Sequence, residues 1–173
     1  APDSAWLWVL HDDSAPEPGS LGVLLRHAEE QPSVAVWGPK VLGWDEPRRL
    51  LEVGVSITRS GRRYTGLEAG EQDQGQYEGQ REVLAVGSAG ALVRREVWSD
   101  LGGFDRVLRY FREDVDFGWR VNLAGHRVVV ATDAVVHHAE AMARGRRAGA
   151  AGDAHSIDRV SALYTLLANG RST

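Results

Sequence analysis

The sequence has no cysteine, a single lysine (Lys40) and a single methionine (Met142) among its 173 residues. The absence of cysteine excludes a disulfide framework, a thiolate metal site and a cysteine nucleophile. No run approaches the roughly 20 apolar residues that span a bilayer, so we expect no transmembrane helix in this chain. The 20 basic and 24 acidic residues give a net charge of −4, which argues against a nucleic-acid partner because phosphate neutralisation needs a basic surface.

What is present indicates one folded α/β domain. Hydrophobic residues make up 43% and charged residues 25%, the balance of a globular protein, and the length suits one domain. The chain begins at Ala1, and we expect it to be part of a longer protein. We divide it into residues 1–140, which form the α/β unit, and residues 141–173, which form a linker and a C-terminal helix.

Apolar patterns in the first 40 residues predict a strand, a helix and a second strand. The runs at 5–10 and 34–37 are typical of strands, the first of them buried on both faces. Leucines at spacings of three and four predict a helix over about 19–30. This order favours a βαβ unit with parallel strands and a right-handed crossover.

The rest of the chain carries shorter patterns. Weak alternation around Ser60-Gly61 predicts a hairpin within 53–64, and the polar, glycine-rich residues 66–80 predict a mobile loop. Ordered segments are then predicted at 83–86 and 91–93, helices at 95–101, 113–124 and 156–169, and strands at 126–131 and 134–138. The last helix is expected to pack on the domain, with one apolar face formed by Ile157, Val160, Leu163, Tyr164 and Leu167.

Three polar residues, His11, Asp12 and Asp13, come directly after the first predicted strand. Ligands of open α/β sheets collect beyond the carboxyl ends of strands. Carboxylates beside an imidazole suit Mg²⁺ or Mn²⁺, so a metal site is one interpretation. The other is a solvated turn in which an aspartate or serine caps the next helix.

A second acidic group, Glu113, Asp114 and Asp116, opens the helix predicted at 113–124. Acidic residues in a first turn complement the helix dipole, which is the purely structural interpretation. Three acids in four residues exceed what capping requires. A carboxylate there can act as a general base if it lies within hydrogen-bond reach of a substrate hydroxyl.

Two further motifs are ambiguous by themselves. His137 and His138 point to opposite faces of a strand, so at most one of them can join a given site, and a lone histidine is more often structural. The glycines of Gly87-Ser88-Ala89-Gly90 allow a ligand to approach the backbone closely, although turns use glycine equally.

The order of these motifs resembles the second half of the family 2 glycosyltransferases of the GT-A fold. WLWVLHDDSAPEPGSL is similar to the family's strand and DxD segment, and GSAGALVRREVWSDLGGFD to the stretch before the acceptor site. YFREDVDFGWRVNLAGHRVVVATDAVVHH resembles the ED-motif helix and the strands that end in a histidine. The resemblance covers residues 5–138 and implies a partial GT-A fold, a mixed sheet flanked by helices, with a C-terminal helix.

The resemblance also implies a role for each matching residue. Asp13 matches the acid that holds a divalent metal ion, Mn²⁺ or Mg²⁺, on the donor diphosphate, and His137, in preference to His138, matches the histidine that completes the metal shell. The implied donor-binding residues are His11, Asp12, Asp13 and Gly90, although His11 stands where many members have aspartate. Asp114 matches the presumed base and Glu113 its companion, and the implied acceptor-side residues are Gly103, Phe104, Asp105, Trp119 and Arg120.

The implied function is an inverting, metal-dependent transfer of a sugar from a nucleotide-diphosphate sugar to an acceptor hydroxyl on a cell-envelope glycan or a lipid-linked acceptor. The family's N-terminal nucleotide-binding half has no counterpart here, so the chain alone can be inactive. A nucleotidyltransferase, a degenerate glycan- or partner-binding domain and a metal-dependent phosphohydrolase are the alternatives.

Location and assembly follow from the same reasoning. We expect a cytoplasmic protein, with the inner face of the plasma membrane as a possible site for the full-length chain. The arginine-rich residues 144–147 can lie near an anionic surface, but a solvated linker is the preferred interpretation. An exposed sheet edge can pair with a second copy of the chain.

Overall fold

The computed structural model describes residues 4–141 and 154–170. The elements in chain order are β1 (Trp6–Trp8), β2 (Ser14–Pro16), α1 (Ser20–Glu30), β3 (Val34–Gly43), β4 (Leu50–Glu52), β5 (Ser56–Ile57), β6 (Arg63–Tyr64), β7 (Gln80–Glu82), β8 (Leu92–Arg94), α2 (Arg95–Asp100), α3 (Glu113–Leu123), β9 (Arg127–His138) and α4 (Ala154–Asn169). A seven-stranded mixed sheet has the order β1-β8-β3-β9-β2, with β4 added to β3 and β7 to β9, while β5 and β6 form a separate hairpin.

The centre of the sheet is the parallel pair β3 and β9. All ten residues of β3 are buried, as expected for a parallel strand that is covered on both faces. The short β8 lies between β1 and β3 and is antiparallel to both, so β1 and β3 run in the same direction. The predicted order of strand, helix and parallel strand is therefore confirmed.

Helices cover both faces of the sheet. Successive residues of β9 point to opposite faces, so this strand contributes apolar side chains to the packing on both sides. Val129 packs into the cluster that contains Leu24 of α1. Val128 and Val130 pack into the cluster that contains Val121 of α3. The sheet therefore separates two apolar layers, one under α1 and one under α3.

Two strand predictions are corrected by the structure. The first strand is only Trp6–Trp8 and is partly buried rather than fully buried, because β1 lies at the end of the sheet. Residues 83–86, predicted as an ordered segment, form no named strand, but Val83 donates a backbone hydrogen bond to Val128 of β9 and Ala85 bridges to Val55. The two strands predicted within 126–138 are one, β9, since a register shift opposite Pro39 and Lys40 absorbs residues 132–134 without ending the pairing.

The hairpin prediction is confirmed, and the loop that follows it is held by ion pairs. β5 and β6 pair antiparallel around Gly61, whose φ of 77° suits glycine. Within 66–79 there is no helix or strand, but the buried Lys40 ammonium lies 2.7 Å from Asp73 and 2.9 Å from Glu78. These ion pairs, together with Leu67 and Tyr77 packed against the core, anchor the loop that was predicted to be mobile.

The C-terminal helix forms as predicted, but of its predicted apolar face only Ile157 and Tyr164 are partly buried. Val160, Leu163 and Leu167 of α4 are 68%, 61% and 65% exposed. The buried residues of α4 are polar: Ser161, Thr165 and Asn169. Hydrogen bonds to the loop before α3 and to α3 itself hold this polar face in place. None of the helices in the described parts of the chain is long and apolar enough to cross a bilayer.

Candidate active site

A cavity of about 560 Å³ opens between the loop after β1, residues 87–89, the N-terminus of α3 and α4. Its ionisable wall residues are His11, Asp12, Asp13, Glu52, Arg63, Arg109, Arg112, Glu113, Asp114, His138, Glu140 and Asp158. Both acidic motifs found in the sequence therefore face one space. Ser88 connects them, because its hydroxyl lies 2.8 Å from His11 Nε2 and donates a hydrogen bond of 3.1 Å to Glu113.

His11, Asp13 and His138 form a compact group of potential metal ligands. One ligand atom from each lies within 4.8 Å of the other two. His138 Nε2 is 3.2 Å from Asp13 Oδ1 and 3.2 Å from His11 Nδ1. The group forms because β2 pairs with β9 and places Ser14, next to Asp13, directly opposite His138. Two imidazoles and a carboxylate form a mixed nitrogen and oxygen donor set, of the kind that binds divalent transition-metal ions.

The surroundings of the Asp13 carboxyl group lower its pKa. Burial raises its pKa, but the backbone hydrogen bond from Ala141 and the neighbouring His138 outweigh that effect and lower the pKa below its usual value. Asp13 Oδ2 accepts the Ala141 hydrogen bond at 2.8 Å, which leaves Oδ1 directed towards the histidines. The ionised form, which binds metal ions, is therefore favoured.

The structure corrects the preference for His137 over His138. His137 Nε2 lies 2.9 Å from Glu17, and its Nδ1 lies 3.3 Å from the carbonyl oxygen of Gly43. Both ring nitrogens thus face away from Asp13, since adjacent residues of β9 point to opposite faces of the sheet. His138 is the histidine that the fold brings to Asp13.

The acidic pair Glu113 and Asp114 starts α3 at the wall of the cavity. Phe111 and Arg112 precede it with φ values of 64° and 72°, an unusual conformation for two successive residues other than glycine. This turn directs α3 so that Asp114 is buried and Oδ2 of Asp114 accepts a hydrogen bond of 3.2 Å from Arg63. Strained backbone of this kind collects at functional sites.

The two carboxyl groups differ in environment. Burial, followed by the negative charge of Asp114, raises the pKa of Glu113 above its usual value. Glu113 Oε1 accepts the hydrogen bond from Ser88, while Oε2 is buried without a partner. A carboxyl group with a raised pKa remains neutral to higher pH, whereas the neighbouring Asp114 carboxylate has the guanidinium of Arg63 beside it.

The five predicted acceptor-side residues lie outside the wall of this cavity. Phe104 packs edge-on against Trp98 and Phe117, and Gly103 lies against Trp98 so closely that a Cβ there would be 2.8 Å from the indole ring. The other three are Asp105, which accepts a hydrogen bond from Tyr164, Arg120, which donates to Leu101 and Gly103, and the partly buried Trp119. The structure thus gives the GGFD segment a packing role under α3.

Gly90, predicted to bind the donor, also lies outside the wall. A Cβ at Gly90 would be 2.7 Å from Pro39, so glycine is required there by packing against β3. Gly87, three residues earlier, does line the cavity, and a Cβ at Gly87 would be 2.7 Å from Glu52. Of the two glycines in the Gly87-Ser88-Ala89-Gly90 motif, only Gly87 therefore lines the cavity.

Sequence reasoning missed Glu52 and Arg63. Both line the cavity, and the guanidinium of Arg63 contacts Glu52 as well as Asp114. No local pattern marks them, because each lies in a short strand far along the chain from the acidic motif. Glu52 reaches the site because β4 pairs with β3, and Arg63 because the β5–β6 hairpin folds towards α3.

The architecture and the cavity define the class of fold. A mixed sheet with helices on both faces and an acidic cleft at the strand ends is the arrangement of GT-A glycosyltransferases. The crystal structure of GalNAc-T7 with UDP, GalNAc and Mn²⁺ has this fold and superposes with a TM-score of 0.57 at 12% identity, over 78% of this chain and 27% of that one. The predicted partial GT-A fold is confirmed.

The sequence matches the family described as Glycosyltransferase like family 2 over residues 1–149, and the chain belongs to that family. The O-antigen biosynthesis protein RfbC of Myxococcus xanthus is 34% identical over 142 residues, which are 80% of this chain and 11% of RfbC. The N-acetylglucosaminyl-diphospho-decaprenol L-rhamnosyltransferase of Mycobacterium tuberculosis is 29% identical over 155 residues, 82% of this chain and 49% of the relative. The chain thus spans half or less of the length of these relatives, and the predicted family is confirmed.

Proposed function

We propose that the cavity is the transfer site of an inverting, metal-dependent glycosyltransferase that uses a nucleotide-diphosphate sugar. One observation carries this proposal: the cluster of His11, Asp13 and His138 and the acidic pair Glu113–Asp114 face the same cavity, with Ser88 between them. Sugar transfer from a nucleotide needs a cation-binding group for the leaving diphosphate and a separate base for the acceptor.

The donor side is proposed to consist of His11, Asp13 and His138, with Asp12 at the adjoining wall. Mn²⁺ or Mg²⁺ held by these three side chains would neutralise the charge that develops on the departing diphosphate. The low pKa of Asp13 and the nitrogen and oxygen donor set support this assignment.

The acceptor side is proposed to centre on Asp114. The acceptor hydroxyl gives its proton to the Asp114 carboxylate while its oxygen attacks the anomeric carbon. The bond between that carbon and the phosphate oxygen breaks, and its electron pair leaves with the nucleoside diphosphate. A single displacement of this kind inverts the anomeric centre and needs no nucleophile from the protein. Glu113, whose pKa is raised, is proposed to stay beside it as a hydrogen-bonding partner of Ser88.

The substrate class is proposed from the relatives. One is named as an O-antigen biosynthesis protein and the other as an N-acetylglucosaminyl-diphospho-decaprenol L-rhamnosyltransferase. We extend this to a cell-envelope glycan or lipid-linked acceptor for the present chain. A cytoplasmic location, association of the full-length protein with the inner face of the plasma membrane and pairing of sheet edges between copies stay predictions. Residues 144–147 lie outside the described residues.

The test is a calorimetric titration of the 173-residue chain with UDP in the presence and absence of Mn²⁺. It compares the natural chain with Asp13→Ala and with Glu82→Gln. Glu82 is the matched control because its carboxylate forms an exposed ion pair with Arg127 away from the cavity. We expect Mn²⁺-dependent UDP binding in the natural chain and in the Glu82 variant, and none in the Asp13 variant.

Two other outcomes are informative. Equal binding by the natural chain and Asp13→Ala would remove Asp13 from the metal site and overturn the donor-side assignment. Binding of a glycan without Mn²⁺, unchanged by Asp114→Asn, would favour the alternative of a degenerate glycan-binding domain.

A further inference from the structure

A chain of charged side chains links the β5–β6 hairpin to Asp114: the half-buried Arg63 lies between the buried Glu52 and Asp114. The same nitrogen of Arg63, Nη2, donates one hydrogen bond to Glu52 Oε2 and another, at 3.2 Å, to Asp114 Oδ2. Arg63 is 11 residues from Glu52 and 51 residues from Asp114 along the chain. Its guanidinium therefore joins the hairpin, the end of β4 and the start of α3 at a single atom.

Glu52 is itself fixed on its other side. Its Oε1 accepts the backbone N–H of Gly87, which belongs to the loop that carries Ser88. The side chain is only 10% exposed, and a Cβ on residue 87 would collide with the carboxylate. Glu52 thus has one orientation available, and that orientation holds Arg63 against Asp114.

The hairpin that carries Arg63 is also attached to α3 at its turn. Arg112, the residue before α3, donates a hydrogen bond of 3.0 Å from Nη1 to the carbonyl oxygen of Gly61. Two arginines, one from each side, therefore bind the hairpin and the N-terminus of α3 together. This double attachment fixes the distance between Arg63 and Asp114.

Stability alone is a poor explanation for this arrangement. Arg63 Nε is buried without a hydrogen-bond partner, and burial of Glu52 raises the pKa of its carboxyl group despite the neighbouring Arg63. Unpartnered buried polar atoms and buried carboxylates both cost folding free energy. Features that cost stability are typical of sites maintained for activity.

We propose that Arg63, braced by Glu52, is a positioning residue that orients the Asp114 carboxylate towards the acceptor hydroxyl. Oδ2 is occupied by Arg63, and Oδ1 accepts the backbone N–H of Val115 at 2.8 Å, so the carboxylate plane has a fixed direction. A base held in this way meets the acceptor in near-attack geometry. This inference rests on the proposed role of Asp114 as the base.

The experiment measures sugar transfer by the full-length protein that contains these residues. It compares the natural sequence with the variants Arg63→Met, Arg63→Lys and Glu52→Gln. Arg62→Met is the matched control, because Arg62 is exposed on the same hairpin and does not line the cavity. Circular dichroism verifies that each variant is folded, and calorimetry gives its Mn²⁺-dependent UDP affinity.

We expect Arg63→Met to lower kcat about 100-fold, the effect of a misplaced reacting group, with the KM for the donor and the UDP affinity unchanged. Arg63→Lys should recover part of kcat, because a single nitrogen serves both carboxylates in the natural chain. Glu52→Gln should lower kcat in the same direction, and Arg62→Met should have no effect.

The outcomes separate the two proposals. If the natural chain binds UDP with Mn²⁺ and transfers sugar, but Arg63→Met keeps kcat within a few-fold, the positioning role is wrong and the proposed function stands. If Arg63→Met fails to fold, Arg63→Lys and Glu52→Gln carry the test by the same criterion. If the natural chain neither binds UDP with Mn²⁺ nor transfers sugar, the proposed function fails and this inference fails with it.

Discussion

Arg112 and Asp158 form a bidentate salt bridge that connects the C-terminal helix α4 to the start of α3. Arg112 Nε donates to Asp158 Oδ1 at 2.5 Å, and Nη2 donates to Oδ2 at 2.7 Å. Arg112 is buried and has a positive φ, and it immediately precedes the acidic pair. The helix α4 therefore supports the site, although its sequence predicted only packing through apolar residues.

The first prediction tests this ion pair. Asp158→Asn should lower the free energy of unfolding by about 2 kcal/mol, because charged hydrogen bonds to a buried guanidinium are lost. Urea denaturation followed by circular dichroism measures the change. Glu82→Gln, which removes one partner of an exposed pair, should cost less than about 1 kcal/mol. Equal losses in the two variants would show that the Arg112–Asp158 contact is no stronger than a surface ion pair.

The second prediction separates the two adjacent histidines. His138→Ala should weaken Mn²⁺ binding by about tenfold or more, since even changes beyond the ligands themselves cost that much. His137→Ala should leave the affinity unchanged, because both of its ring nitrogens contact groups away from Asp13. Calorimetry with Mn²⁺ alone measures both variants. The reverse ranking would restore His137 as the ligand and refute the pairing of β2 with β9 as the basis of the site.

The third prediction compares two glycines in helices. At Gly118 of α3 a Cβ would be 2.6 Å from the carbonyl oxygen of Leu84 and 2.6 Å from Ala85, so Gly118→Ala should destabilise the fold by about 1–3 kcal/mol. At Gly22 of α1 a Cβ meets nothing within 4 Å, and Gly22→Ala should stabilise by about 0.5–1 kcal/mol. Thermal and urea denaturation measure both. Stabilisation by Gly118→Ala would mean that α3 lies further from residues 84–85.

The fourth prediction concerns pH. Burial, opposed by the charge of Arg63, raises the pKa of Glu52 above its usual 4.5 in the folded chain. The folded state then binds more protons than the unfolded state above that pH, so this group lowers stability as pH rises from about 4.5 through its folded pKa. As pH rises from about 4.5 to the folded pKa of Glu52, the free energy of unfolding should therefore fall less for Glu52→Gln than for the natural chain. Denaturation curves across that range, compared at each pH, give the difference; parallel curves would contradict the raised pKa.

Local patterns predicted most of the helices and the central strands. Helix α3 was predicted at 113–124 and is observed at Glu113–Leu123. Gly125, which has a φ of 83°, follows its C-terminal end as predicted. Leucine spacing fixed α1 in the same way. Such elements are predictable because their burial periodicity and end signals lie within one stretch of chain.

The errors arose where the partner of a segment lies far away in sequence. Strand β7 at residues 80–82 was not predicted, because its partner is the distant segment 129–131 of β9. The apolar residues of α4 suggested its inner face, whereas contacts with Asp116 and with the loop before α3 selected the polar face. Periodicity indicates that a helix has two faces, and tertiary contacts decide which face is buried.

The sequence by itself determined the family, the α/β architecture and the two acidic motifs, because these depend on composition and on spacing within short segments. Only the tertiary structure decided that His138 joins Asp13 across 125 residues and that Arg63 reaches Asp114 across 51. Strand register decides which of His137 and His138 lies beside Asp13. The folding of the β5–β6 hairpin brings Arg63, which no sequence motif marks, to Asp114. Both are long-range events, and no local pattern of residues encodes them.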